Sequence, residues 1–306
     1  MKNLLKSILF VMILIIMYFF FSYLFLPKDN IGRFGLYKTS LYEVLGEKPN
    51  TVDVVAIGDS LVYSSICPME IYGNYGYTVF DCAEPAQILP DAYEYYKVAL
   101  ESQKPKIAII ESNILFRDPN KNPWYNESLK ILKNSIPLVL HHANWKKMIF
   151  SNQGLINTEK GYRSNKDIKP SENKDYMKIS NKTKTIPDAN IDYLKKIIKL
   201  SKEHNVKLVF VGLPSQKSWS YEKHKKMEEV SKEFGLEYIN LNGNEDLKID
   251  WTQDTKDRGD HLNFYGAKKV SKFIGEYLKD TDLLEDHRED PKYSELNELY
   301  QKHVES

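Results

Sequence analysis

The chain has little of what would place it at once in several large classes. Two cysteines in 306 residues exclude a disulfide-stapled scaffold, and Cys67 and Cys82 lie too far apart for a zinc knuckle. Charge of one sign is missing as well. Lys+Arg at 43 against Asp+Glu at 42 leave a net +1, so there is no electrostatic case for nucleic acid. The glycines, Gly73 and Gly76 included, form no phosphate-binding loop. No internal repeat and no His/Cys spacing of a metal site is present, and neither metal nor cofactor is expected. Whether the two cysteines pair or are unpaired small core residues is open at this level, but a domain this large needs no staple.

What is present begins with a long hydrophobic run. Ile8 to Leu26 carries no charged residue, enough at about 1.5 Å per residue to cross a bilayer core of roughly 30 Å. A cleaved signal peptide has a shorter apolar stretch and small residues at its end, whereas Phe19 to Leu26 is bulky apart from Ser22. Residues 1–28 are therefore expected to be an uncleaved anchor touching the bilayer through residues 8–26. Lys2 and Lys6 precede the run, while Lys28 and Arg33 follow it. The short basic tail favours an N-terminus inside and the remainder outside, as a single-pass protein of the cell membrane.

Residues 29–50 read as a stalk. Beyond them, strand-like and helix-like stretches alternate. Val52–Ile57, Thr78–Phe80, Lys106–Glu111, Val206–Leu213 and Leu236–Leu241 are expected strands. Helices are expected over Ala92–Ser102, Ala189–His204 (with Asp188 as cap), Glu222–Phe234 and Tyr265–Leu278. Near-continuous apolar strands separated by amphipathic helices predict a parallel sheet covered on both faces. Residues 117–187 break the rhythm and read as an insertion with some helix of its own, over or beside the site, within a domain spanning 51–282. Residues 283–306 read as a charged surface tail. Stacking on sugar rings and ordinary core packing are both open for Trp124, Tyr125, Trp145 and Tyr162. His141 and His142, being adjacent, point to different sides and are more simply structural.

Two constellations carry chemistry. Ile57-Gly58-Asp59-Ser60-Leu61 directly follows the first strand, where parallel sheets bind ligands and a helix start offers N–H groups to a developing oxyanion. Capping by Asp59 or Ser60 explains that motif alone equally well. The second constellation, Asp257-Arg258-Gly259-Asp260-His261-Leu262-Asn263, follows the fifth strand on the same sheet edge. A serine becomes a nucleophile with a base beside it and a carboxylate orienting that base, and the two motifs together supply all three.

On Gly58 to Leu61 and Asp257 to Asn263 the chain resembles the SGNH, or GDSL, hydrolase superfamily, over roughly residues 50–116 and 190–280. The resemblance implies a three-layer α/β/α fold with a parallel, flavodoxin-like five-stranded sheet. It also implies Ser60 as nucleophile, His261 as base, and an oxyanion hole from Ser60, Ala83 and Asn113. Ala83 stands where the family has a glycine. The acid usually lies three residues before the histidine, a place held here by Arg258. Asp257 is the favoured acid, Asp260 the alternative, and Asp254 lies further back. An anchor, an outside domain and a large insertion after the third strand resemble bacterial envelope proteins that move acyl groups, such as polysaccharide O-acetyltransferase partners and the D-alanyl-lipoteichoic acid transfer protein. The expected function is a serine acyl-ester enzyme, O-acyltransferase or esterase. Its expected substrate is a cell-envelope polysaccharide or teichoic acid, and its expected partner a multi-span membrane O-acyltransferase. The alternative is a catalytically idle scaffold or polysaccharide-binding protein of an envelope complex.

Overall fold

Five short aliphatic runs build the sheet: β1 (Val54–Gly58), β2 (Val79–Ala83), β3 (Ile107–Glu111), β4 (Lys207–Gly212) and β5 (Glu237–Asn240). A computed structural model of the chain describes residues 2–25, 39–121, 159–172 and 175–305. All neighbouring strands are parallel, in the order β2-β1-β3-β4-β5, the flavodoxin-like doubly wound order whose switch point lies between β1 and β3. Every residue of β1, β2 and β3 is buried, which explains why these strands are apolar throughout rather than alternating.

The helices, numbered along the chain, are α1 (Lys2–Phe25), α2 (Thr39–Gly46), α3 (Val62–Ser65), α4 (Pro68–Tyr75) and α5 (Leu89–Ser102). They continue with α6 (Asp188–Glu203), α7 (Tyr221–Phe234), α8 (Phe264–Asp280) and α9 (Ser294–Glu305). One sheet face, with Val54, Ala56, Ile109, Val209 and Val211, packs with Val62 of α3, Ile71 of α4 and Val270, Ile274 and Leu278 of α8. Strand alternation sends Val55, Ile57, Ala108, Ile110 and Phe210 to the other face, where α5 lies against β1, β2 and α6. The result is three layers.

By its internal contacts the chain divides into residues 1–46 with 120–156 and residues 47–119 with 157–306. In the first unit, α1 is long and apolar enough to cross a membrane, with a mean hydropathy of 2.6 over Asn3–Phe21. The sheet and the candidate site belong to the second.

One expectation needs correction, and the structure bears on several others. Asp188 does not cap α6: Pro187 holds that position, and Asp188 is the first helical residue, where the helix dipole favours an acid. Within the insertion, 122–158, and with it Trp124, Tyr125, His141, His142 and Trp145, lies outside the described residues. Its described part from 159 to 187 holds no helix; it crosses the second unit through backbone bonds such as Arg163 N to Tyr63 O and Phe264 N to Asn165 O. Tyr162 is a core residue, packed with Cys67, Met69 and Tyr72. The charged tail carries α9, docked through Leu296 and Tyr293. Cys67 and Cys82 are buried and form no disulfide.

Candidate active site

Ser60 lies just beyond the carboxyl end of β1, and the turn that carries it is held by the residues before it. Gly58 must lack a side chain, because a Cβ there would come 2.5 Å from Glu111 Cβ and 2.6 Å from Val62 Cγ2. Asp59, fully buried, accepts from Leu61 N at 2.9 Å through Oδ1. Its Oδ2 accepts from Arg117 Nε at 3.0 Å and is ion-paired with the same guanidinium. The structural share of Gly-Asp-Ser-Leu thus falls to Gly58 and Asp59, and the Ser60 hydroxyl is left to the histidine.

The loop after β5 brings that histidine in. Thr255 and Leu262 pair as a small antiparallel bridge. The Thr255 hydroxyl ties its interior together, donating to His261 O at 2.9 Å and accepting from Gly259 N at 2.8 Å. Arg258 and Gly259 take φ of 65° and 88°, consecutive left-handed residues that turn the chain tightly back. The positive φ favours glycine at 259, and a Cβ there would have to displace Gln216 Oε1, which lies 2.5 Å from its position.

The turn folds Asp257 onto the residue four positions later. Asp257 Oδ1 accepts from His261 N at 2.7 Å, and Oδ2 lies 2.5 Å from His261 Nδ1. The opposite ring nitrogen, Nε2, is 2.7 Å from Ser60 Oγ. An ionised carboxylate only accepts, so Nδ1 carries the proton and Nε2 is left to accept from the serine hydroxyl. Burial by itself would raise the Asp257 carboxyl, but hydrogen bonds from the His261 ring and backbone hold it below the usual carboxylate range. Asp260 is further from the ring, 3.8 Å from Nδ1, and its Oδ1 accepts from Ser218 Oγ at 2.8 Å and Ser215 Oγ at 3.3 Å. Asp254 is engaged elsewhere, with Lys269 Nζ at 2.6 Å.

Around this line the structure places the remaining sequence-identified residues. Ala83 ends β2 as the register partner of Gly58. Asn113 is the second residue of the short 3-10 helix after β3 (Ser112–Phe116), whose N-terminus is capped by Glu111. Its carboxamide is fixed at both ends, with Lys223 Nζ donating to Oδ1 at 2.7 Å and Nδ2 donating to Asp59 Oδ2 at 3.3 Å. An amide nitrogen has two hydrogens, so one remains for another acceptor. Burial pushes Lys223 down and, with the Asp59 charge, Glu111 well up.

Sequence reasoning missed Tyr63, three residues after Ser60, whose phenol is raised by burial and whose ring carries the Arg163 guanidinium at 4.2 Å. The signal was its position three residues on, at the start of a helix, where i and i+3 share a face. It also missed Lys223, Arg117 and Arg163, which come from distant parts of the chain. For cation binding, one group among the described residues brings potential ligand atoms within 4.8 Å of one another: Asp257, Asp260 and His261. The Asp257–His261 bond already uses two of those ligands against each other.

No family model matches the chain, and no curated protein matches it. Among solved structures it is similar to a GDSL-like lipase from Bacteroides thetaiotaomicron (11% identity, 74% of this chain and 88% of that one, TM-score 0.39). It is also similar to the lipase/acylhydrolase from Enterococcus faecalis (13%, 75% and 96%, 0.37) and to the Clostridium thermocellum family 3 carbohydrate esterase (12%, 76% and 97%, 0.36). At these TM-scores the likenesses carry no weight, and the site rests on the chain's own geometry.

Proposed function

We propose that the protein is a membrane-anchored serine acyl-ester enzyme of the SGNH type, acting outside the membrane on esters of a cell-envelope polysaccharide or teichoic acid. One observation carries the reading: the hydrogen-bonded line from Ser60 Oγ through both nitrogens of His261 to Asp257. Ser60 Oγ attacks the ester carbonyl carbon while its proton passes to His261 Nε2, and Asp257 holds the ring and the charge it gains. The carbonyl oxygen becomes an oxyanion among the Ser60 N–H, the Ala83 N–H and the free amide hydrogen of Asn113. The carbon–oxygen bond to the leaving alcohol then breaks, that alcohol takes the proton from Nε2, and acyl-Ser60 remains. Water or a polymer hydroxyl attacks next, with His261 again as base.

The anchor supports transfer over hydrolysis. A catalytic domain held at the bilayer meets an acyl donor delivered through it at high effective concentration, and a multi-span membrane O-acyltransferase is the fitting source. The acyl content of the envelope after deletion of the gene tests this. Transfer predicts a loss of O-acyl groups, restored by the wild type and not by Ser60→Ala. A rise in acylation means an esterase.

A further inference from the structure

Two cations contact consecutive residues of α3, the short helix that follows Ser60, with much of their hydrogen-bonding capacity unspent among the described residues. Arg163 lies with its guanidinium carbon 4.2 Å from the centre of the Tyr63 ring, and Tyr63 belongs to α3, which begins two residues after Ser60. The Arg163 side chain is 47% exposed, and its acid partner, Glu84, is 4.0 Å away, beyond hydrogen-bonding distance. Arg163 is placed there by the chain itself, its backbone N donating to Tyr63 O at 2.9 Å. Lys256 comes from the other side, on the loop that carries Asp257 and His261. Among the described residues its Nζ donates to one group, the neutral Ser64 Oγ, at 2.9 Å, although an ammonium has three donors. Its nearest acid, Asp257, is taken up by His261.

These cations also oppose one another. Burial makes Lys256 hold its proton less firmly than an exposed lysine, Asp257 partly offsets this, and the charge of Arg163 adds to it. Part-buried charges are normally paired. A guanidinium on the Tyr63 ring, its acid partner Glu84 at 4.0 Å, and an ammonium on the neutral Ser64 hydroxyl, the next residue of α3, are an arrangement that a bound anion stabilises. Arg supplies the planar fork that grips a phosphate or carboxylate, Lys a point charge.

We infer that Arg163 and Lys256 form an anion subsite that reads an oxyanion group of the substrate, a phosphate or a uronate carboxylate, beside the ester that Ser60 attacks. This rests on the acyl-ester reading for its biological meaning, but binding is measurable without turnover.

The test is titration calorimetry on the full chain in detergent micelles, with glycerol 3-phosphate, glucuronate and, as neutral control, glycerol. The expected result is binding of an anion at least about tenfold tighter than glycerol, weakening as salt rises. That advantage should be lost in both Arg163→Gln and Lys256→Gln, and retained in Ser60→Ala. Preference for glycerol 3-phosphate indicates a polyol-phosphate polymer, and preference for glucuronate a uronate polymer. Lys256→Met replaces the glutamine variant if that one fails to show the wild-type melting temperature. No anion preference in the wild type, or wild-type affinity in either charge variant, overturns the subsite. Anion binding that persists in a protein whose Ser60 proves unreactive would instead remove the catalytic reading and leave the subsite standing.

Discussion

Replacing Asp257 with Asn is the most informative single change at the site. The carboxylate makes two bonds to one residue, to His261 N at 2.7 Å and to Nδ1 at 2.5 Å. In Asp257→Asn the amide oxygen can keep the backbone bond, but the amide nitrogen then faces Nδ1. A donor there demands that Nδ1 accept, which moves the ring proton to Nε2, 2.7 Å from Ser60 Oγ. A protonated Nε2 cannot take the serine proton. The same tautomer error in a serine protease lowers turnover about 10⁴-fold, or about 5.5 kcal/mol at 1.36 kcal/mol per decade. Asp260, 3.8 Å from Nδ1 and bonded to Ser215 and Ser218, is too far to substitute fully. Asp260→Asn should therefore cost less than about tenfold, under 1.36 kcal/mol. The assay is kcat for p-nitrophenyl acetate with full-length protein in detergent. Asp257 is held below its ordinary range, so its contribution to stability is present above the unfolded value of about 3.9 and lost as pH falls through the folded one. The stability advantage of wild type over Asp257→Asn should therefore close in acid. Near-normal turnover in Asp257→Asn beside an inactive Asp260→Asn would reverse the assignment.

Three further outcomes follow from the same physical arguments. Arg117→Met strips the partner from a fully buried Asp59 and should cost about 3–5 kcal/mol in urea unfolding; a cost under 1 kcal/mol would mean the Asp59 turn stands without it. Asp81, buried in β2 with both carboxylate oxygens unpartnered among the described residues, is raised well above its usual range by burial. The stability it contributes is fully present below about pH 3.9 and lost as pH rises through the folded value, so Asp81→Asn should raise Tm increasingly between pH 4 and pH 8, and a gain independent of pH would refute that. Truncation after Asp290 removes Tyr293, Leu296 and Tyr300 from Met69, Tyr72 and Tyr162, and differential scanning calorimetry should show a lowered Tm; an unchanged Tm would mean α9 is not part of the core.

The sheet was readable because buried parallel strands are apolar on both faces, so Val54 to Ile57 and Ile107 to Ile110 stand out without any periodicity. Ser60 and His261 were readable for a different reason. Ser60 directly follows β1 and His261 lies on the loop between β5 and α8, and all strand ends of a parallel sheet lie on one edge. Asp257 required a turn, which Arg258 and Gly259 make with positive φ. Four strands came out one or two residues shorter, whereas β2, expected over Thr78–Phe80, runs Val79–Ala83; at the start of β1, Val52 and Asp53 are fixed by loop bonds to Gln103 and Thr78 rather than by the ladder. The helix at the end of the chain was hidden by its charge: Leu296, Leu299 and Tyr300 are its apolar stripe, too sparse to stand out among lysines and glutamates. Arg163 and Lys223 were invisible for a deeper reason. Each reaches the site from a segment that sequence alone cannot place beside it, and no local pattern marks a lysine that fixes an amide or an arginine lying on a tyrosine.

The central claim is that Ser60 is a nucleophile activated by His261. Incubation of the full-length protein with a fluorophosphonate, followed by peptide mass mapping, addresses it directly. The account predicts one adduct on Ser60, absent in Ser60→Ala and strongly slowed in His261→Ala with the fold intact. Full-length protein that remains unmodified under conditions that label a serine esterase, or a label mapped to another residue, would contradict it.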